Sequence, residues 1–199
     1  ANMITSNLYD KRVIGSVGLP LPGVEVRIRD TETDTQCGPD QVGMIEIRGE
    51  NVFKGYWNMP EKTAEEFTDD GFFITGDLGT MAQDGFISIV GRSKDLVISG
   101  GYNVYPKEIE QQLDKLTGVS ESAVIGVPHA DLGEGVIAIV VPRPTANLDA
   151  ENLRQALRKN LAAYKVPKKI VLTEQLPRNT MGKVQKNLLR DQFQDVLSD

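Results

Sequence analysis

Three short runs carry the residue types that could do chemistry. The longest joins the charged residues Arg92, Lys94 and Asp95 to a β-prone run at 96–98, and then to Gly100-Gly101. A paired-glycine turn lets backbone approach a ligand with no Cβ in the way. Pro106 follows where a helix should start, with Ile109, Leu113 and Leu116 on one apolar face. A second run is Thr75-Gly76-Asp77. A carboxylate after a strand and a glycine can accept both hydroxyls of a ribose, although Thr-Gly-Asp is also a common turn or cap tripeptide. The third holds Lys183 beside Gly182 in a polar block, which by itself reads as a surface loop lysine.

Charge narrows what such groups would meet. The chain of 199 residues carries a net charge of −6, against general nucleic-acid binding. Its basic residues are uneven, however: from Arg154 to Arg190 the only acid is Glu174. A basic stretch on an acidic chain suits a polyanionic small molecule, and a solvated face is the plainer alternative. One cysteine, Cys37, excludes an intrachain disulfide and a CxxC metal site, which suits a reducing compartment, the cytoplasm. The single histidine, His129, reads as a turn residue and no metal site is expected. The longest apolar run, 135–141, is too short to span a bilayer, and no secretory leader is visible, so no membrane partner is expected.

The elements that must position these residues fall into two groups. Up to about residue 92 the chain reads as short strands at 24–28, 44–47, 72–75 and 86–90, joined by turns such as Asp70-Gly71 and Asp84-Gly85. A helix starting at Pro60 interrupts them. Beyond residue 94 come the Pro106 helix, two buried strands at 122–127 and 136–141, and a helix capped by Asp149 with Leu148 and Leu153 as a staple. A strand at 169–172 and a helix from about Gln185 complete the pattern. The expected fold class is α+β: a small antiparallel β-barrel-like subdomain at 1–93, then a compact α+β domain at 94–199.

The run from Gly91 to Glu110, including Gly101-Tyr102-Asn103-Val104-Tyr105-Pro106, closely resembles the hinge signature of the adenylate-forming enzymes. Thr75-Gly76-Asp77 and Pro177-Arg178-Asn179-Thr180-Met181-Gly182-Lys183 match further blocks in the family's order. Within that superfamily of acyl-CoA synthetases, peptide-synthetase adenylation domains and luciferases, the wording is most similar to malonyl-CoA synthetases. The resemblance implies that 1–93 ends a large N-terminal domain and that 94–199 is a mobile C-terminal lid.

It also implies roles. Lys183 would be the catalytic lysine, its ammonium offsetting repulsion between carboxylate and α-phosphate. Asp77 and Arg92 would bind the ATP ribose, and Lys94 would be the hinge on which the lid rotates between half-reactions. Ser99, Gly100, Gly101 and Tyr102 would line the pantetheine tunnel of CoA. Tyr164, Lys165 and Lys168 would meet its nucleotide, through an aromatic face and cations. Tyr56 and Trp57 would pack beside the nucleotide. The implied cofactors are ATP, CoA and Mg²⁺, the metal's glutamate lying outside this chain. No phosphate loop and no Walker A are found, so this stretch alone should not be competent. The implied activity is acid–CoA ligation on malonate or a related small carboxylic acid. Its rivals are an adenylation domain loading a carrier protein and a non-catalytic binding or interaction fragment. Acetylation of Lys183 by a lysine acetyltransferase would cancel its charge.

Overall fold

The computed structural model describes residues 3–198, and the chain divides into two compact units, Ala1–Lys94 and Asp95–Asp199. In the first unit β1 (Thr5–Ser6) pairs with β2 (Leu19–Pro20), apart from a four-stranded antiparallel meander. Its strands are β3 (Val24–Arg29), β4 (Gly43–Gly49), β5 (Phe73–Met81) and β6 (Ile87–Arg92), with helix α1 (Pro60–Glu65) between β4 and β5.

Alternation sorts the two faces of this sheet. Ile28, Ile45, Ile47 and Ile87 form the buried side, while Arg27 and Glu46, directly opposite each other on β3 and β4, pair at 2.6 Å on the other. The guanidinium groups of Arg27 and Arg48 both lie over the Phe72 ring, at 3.8 and 4.4 Å, covering its apolar surface.

No barrel forms, contrary to the expectation. The order β3-β4-β5-β6 is open, and its end strands do not pair with each other. Irregularities between Met44 and Glu46 and between Leu78 and Gly79 bend the sheet, yet four strands are too few to wrap around a filled interior. The α+β character stands.

In the second unit β7 (Val97–Ser99) and β8 (Tyr102–Val104) form a tight hairpin around Gly100 and Gly101, both with positive φ (58° and 80°). Helix α2 (Pro106–Leu113) follows, then the long antiparallel pair β9 (Val119–His129) and β10 (Gly133–Pro142). Helix α3 (Ala150–Arg158) is capped by the Asp149 carboxylate, which accepts from the Asn152 N–H at 2.8 Å. Strand β11 (Lys169–Leu172) then runs parallel to β10, and α4 (Lys186–Phe193) closes the unit.

The apolar run at 135–141 is explained by layers on both sides of the sheet. Val136, Ala138 and Val140 pack against α2 and α3 with Ile109, Leu113, Leu153 and Leu157. Ile137, Ile139 and Val141 face Leu176 and Leu189 of the opposite layer. A strand covered on both faces needs apolar residues at every position, so alternation disappears.

Candidate functional site

The expected site residues fall into one cluster in the first unit and two in the second. Asp77 lies within β5 rather than after it, because Gly76 adopts φ +71° and the strand continues through the turn-like Thr-Gly-Asp. Thr75 fixes that bend: its hydroxyl donates to the Ile45 carbonyl at 2.7 Å and accepts from the Asp77 N–H at 3.1 Å. Arg92 is the cross-strand partner of Asp77 on β6, and its Nε stands 2.7 Å from Asp77 Oδ1. Burial pushes the Asp77 carboxyl above the usual carboxylate range, and the Arg92 guanidinium offsets part of that rise.

The two residues open onto a cleft of about 530 Å³, whose walls include Tyr56, Glu66, Phe73 and Thr75. The Tyr56 hydroxyl donates to Glu66 Oε2 at 2.6 Å, which raises its pKa and holds the ring against Phe53. Trp57 is no packing group within this unit: it is 87 % exposed. An acid, a cation and an aromatic wall in a cleft of this volume suit a polar ring such as a nucleoside.

In the second unit Lys183 sits on a small hairpin closed by a bridge between Arg178 and Val184. The Asn179 N–H donates to the Lys183 carbonyl at 2.9 Å, and Gly182 turns the chain with φ +78°. Asn179 Oδ1 accepts from the N–H groups of Met181 (3.0 Å) and Lys183 (2.9 Å). The exposed ammonium of Lys183 has no ion-pair partner among the described residues. Its basic neighbours differ: Arg178 pairs with Glu121, Lys186 with Glu110 at 2.6 Å, and Arg190 with Asp95 at 2.7 Å. Much of the basic stretch is therefore internally neutralised rather than one cationic face.

The third cluster joins residues expected to act apart. The rings of Tyr102 and Tyr164 stack with centroids 4.6 Å apart. Lys165 Nζ reaches both oxygens of Glu108, at 2.7 and 2.8 Å. Lys168 is separate, lining a cleft of about 340 Å³ with Arg154 and Arg158. Ser99 is buried at the end of β7, while Lys94 is exposed in a 3₁₀ turn, Ser93–Asp95, at the junction of the units.

Nothing local signals the roles of Glu108, Glu110 and Glu121, whose partners are distant in the chain; Arg178 lies in the block at 177–183, but its link to Glu121 is equally remote. Asn179 was detectable, since an asparagine accepting from the amide two residues on is a local turn signal. Among the described residues no group of three or more His, Cys, Asp or Glu is arranged to hold a metal ion.

A cleft with a carboxylate–guanidinium pair in the first unit, and a hairpin offering an unpaired ammonium in the second, agree with what the motifs led one to expect of the adenylate-forming class. The chain belongs to that family: residues 1–57 match the AMP-binding enzyme model and residues 108–183 the AMP-binding enzyme C-terminal domain. It is 57 % identical to ATP-bound MatB from Rhodopseudomonas palustris, with a TM-score of 0.93 over 99 % of this chain and 39 % of that one. A long-chain-fatty-acid–CoA ligase of Yersinia pestis is 42 % identical over 96 % of this chain and 34 % of its own length. The Bacillus subtilis o-succinylbenzoate CoA synthetase MenE, in complex with its acyl-adenylate intermediate, is 35 % identical with a TM-score of 0.83 over 89 % of this chain and 36 % of that one. The chain thus spans about a third of the length of the curated relative and less than two fifths of these solved structures.

Proposed function

We propose that this chain is the C-terminal part of an AMP-forming acid–CoA ligase acting on malonate or a related small carboxylic acid. In the first half-reaction a carboxylate oxygen bonds to the α-phosphorus of ATP and pyrophosphate leaves. In the second, the CoA thiolate attacks the acyl carbon and AMP departs. Two anions must meet in the first step, and Lys183 supplies the charge that makes their approach favourable as the transition state forms. The observation that carries this reading is the unpaired ammonium of Lys183 on its hairpin, between Arg178 and Lys186, which carboxylates neutralise.

Asp77 and Arg92 hold the ribose: Oδ1 is engaged by Arg92, and Oδ2 is left to accept from a ribose hydroxyl. Ser99 to Tyr102 line the path of pantetheine, where paired glycines at positive φ keep the backbone bare. Tyr164, Lys165 and Lys168 meet the CoA nucleotide, and the Glu108–Lys165 pair must yield for Lys165 to bind phosphate. Lys94 is the hinge. The Mg²⁺ that accompanies ATP finds its protein ligand outside this stretch.

ATP–pyrophosphate exchange by the full-length enzyme, run with a panel of carboxylic acids, tests the reading. Exchange that depends on malonate or a close relative, followed by CoA-dependent AMP release, is expected. Exchange with transfer only to a carrier protein would replace CoA as acceptor. No exchange with any acid would leave a binding module.

A further inference from the structure

The backbone around Lys183 is held more closely than an exposed hairpin requires. Its N–H donates to the Asn179 carboxamide and its carbonyl accepts from the Asn179 N–H, both at 2.9 Å. One residue earlier, the Gly182 carbonyl accepts from Arg178 Nη1 at 2.6 Å. Nη2 of the same guanidinium pairs with Glu121 Oε2 on β9. One planar group therefore ties the tip of the hairpin to the central sheet.

Energy alone does not explain the arrangement. Arg178 and Glu121 are 43 % and 31 % exposed, and ion pairs so open to water add little stability. Direction is what a guanidinium adds: two donors in a rigid plane hold a carbonyl and a carboxylate at one fixed angle, which the single flexible ammonium of a lysine cannot do. The chain just after the hairpin is anchored too, since Lys186 in the first turn of α4 pairs with the buried Glu110. With both flanks fixed, the hairpin sets the point and direction from which the Lys183 side chain leaves the backbone.

We propose that Arg178 and Glu121 form a positioning pair that aims Lys183, so that the hairpin presents its ammonium already oriented. The functional half of this inference rests on the ligase reading; the structural half does not. Three variants test it: Arg178→Lys, Arg178→Ala and Glu121→Gln. In the 199-residue chain the Lys183 amide keeps its bond to Asn179 Oδ1, but once the link from Arg178 to the Gly182 carbonyl no longer holds the hairpin it should exchange about fivefold to tenfold faster, a loss of local stability of roughly one hydrogen bond. Melting should move by less than about 4 °C, as for a change at an exposed pair.

In the full-length enzyme adenylation should fall about tenfold or more, while thioester formation from supplied acyl-adenylate stays within about twofold. Arg178→Lys should be nearly as impaired as Arg178→Ala, because it keeps charge and loses the fork. Unchanged amide exchange would overturn the pair as a clamp. Faster exchange with normal adenylation, or equal loss of both half-reactions, would overturn it as a positioning device. A wild-type enzyme with no adenylation would sink the ligase reading instead, and the exchange measurement would then decide the clamp by itself.

Discussion

Replacing Glu110 by alanine removes the most deeply buried charge partner in the second unit. Glu110 is 7 % exposed, and its Oε1 accepts from both Lys186 Nζ at 2.6 Å and the Val124 N–H at 2.9 Å. Alanine strands a largely buried ammonium and orphans a backbone donor, a loss of about 3–5 kcal/mol. At about 4 °C or more per kcal/mol for a unit of this size, melting should fall by roughly 12 °C or more. Glutamine keeps an acceptor for the Val124 amide and should cost about 2 kcal/mol. Glu110→Gln combined with Lys186→Met, which removes the stranded charge, should return to within about 1 kcal/mol of wild type. The two units make a single two-state transition unsafe to assume, and the only tryptophan, Trp57, lies in the first. Amide exchange at β9 and β10 is therefore the assay. An alanine variant within about 1 kcal/mol of wild type would refute the reasoning.

Three further outcomes follow from the same geometry. Asp77 has a raised pKa, so its contribution is full below the unfolded value near 3.8 and lost as pH rises through the folded one. Asp77→Asn should then melt no lower than wild type at pH 7 while weakening AMP binding by the full-length enzyme about tenfold or more; clear destabilisation at pH 7 would contradict this. Asp70 is the opposite case, held well below its usual range by Arg27 and then by Thr68. Its contribution is present above 3.8 and disappears as pH falls further, so Asp70→Asn should flatten the acid limb of the melting profile below about pH 4; an identical slope would count against the pair. Lys94→Pro, which fixes φ near about −65° and removes a donor, should impair one half-reaction far more than the other, and equal loss would argue against a hinge.

What the sequence disclosed was the local part. Pro106, Asp149 and the run at 135–141 mark helix starts and a buried strand through chemistry within a few residues, and the structure has each of them. The barrel failed because alternating residues establish strands but not closure, which depends on strand number and stagger. Asp77 was expected just after a strand, since Thr-Gly-Asp is also a common turn or cap tripeptide, and pairing of the flanking residues with β4 and β6 carries the strand through it. Its partner could not be read by counting from the turn: Met81 pairs with Ile87, and the irregularity between Leu78 and Gly79 shifts the register by one residue to bring Arg92 opposite Asp77. Nothing near Glu110 in the sequence marks it, and only the fold brings Lys186 and the Val124 amide to it. Tyr102 and Tyr164 were assigned to different ends of CoA, and nothing local signalled that their rings stack.

The most direct test is the rate of acyl-adenylate formation by full-length Lys183→Ala, measured by ATP–pyrophosphate exchange beside wild type. Loss of roughly two or more orders of magnitude is predicted, from removing the one cation that the hairpin leaves unpaired. Adenylation within about threefold of wild type would contradict the account, since the charge on which it turns would then be dispensable.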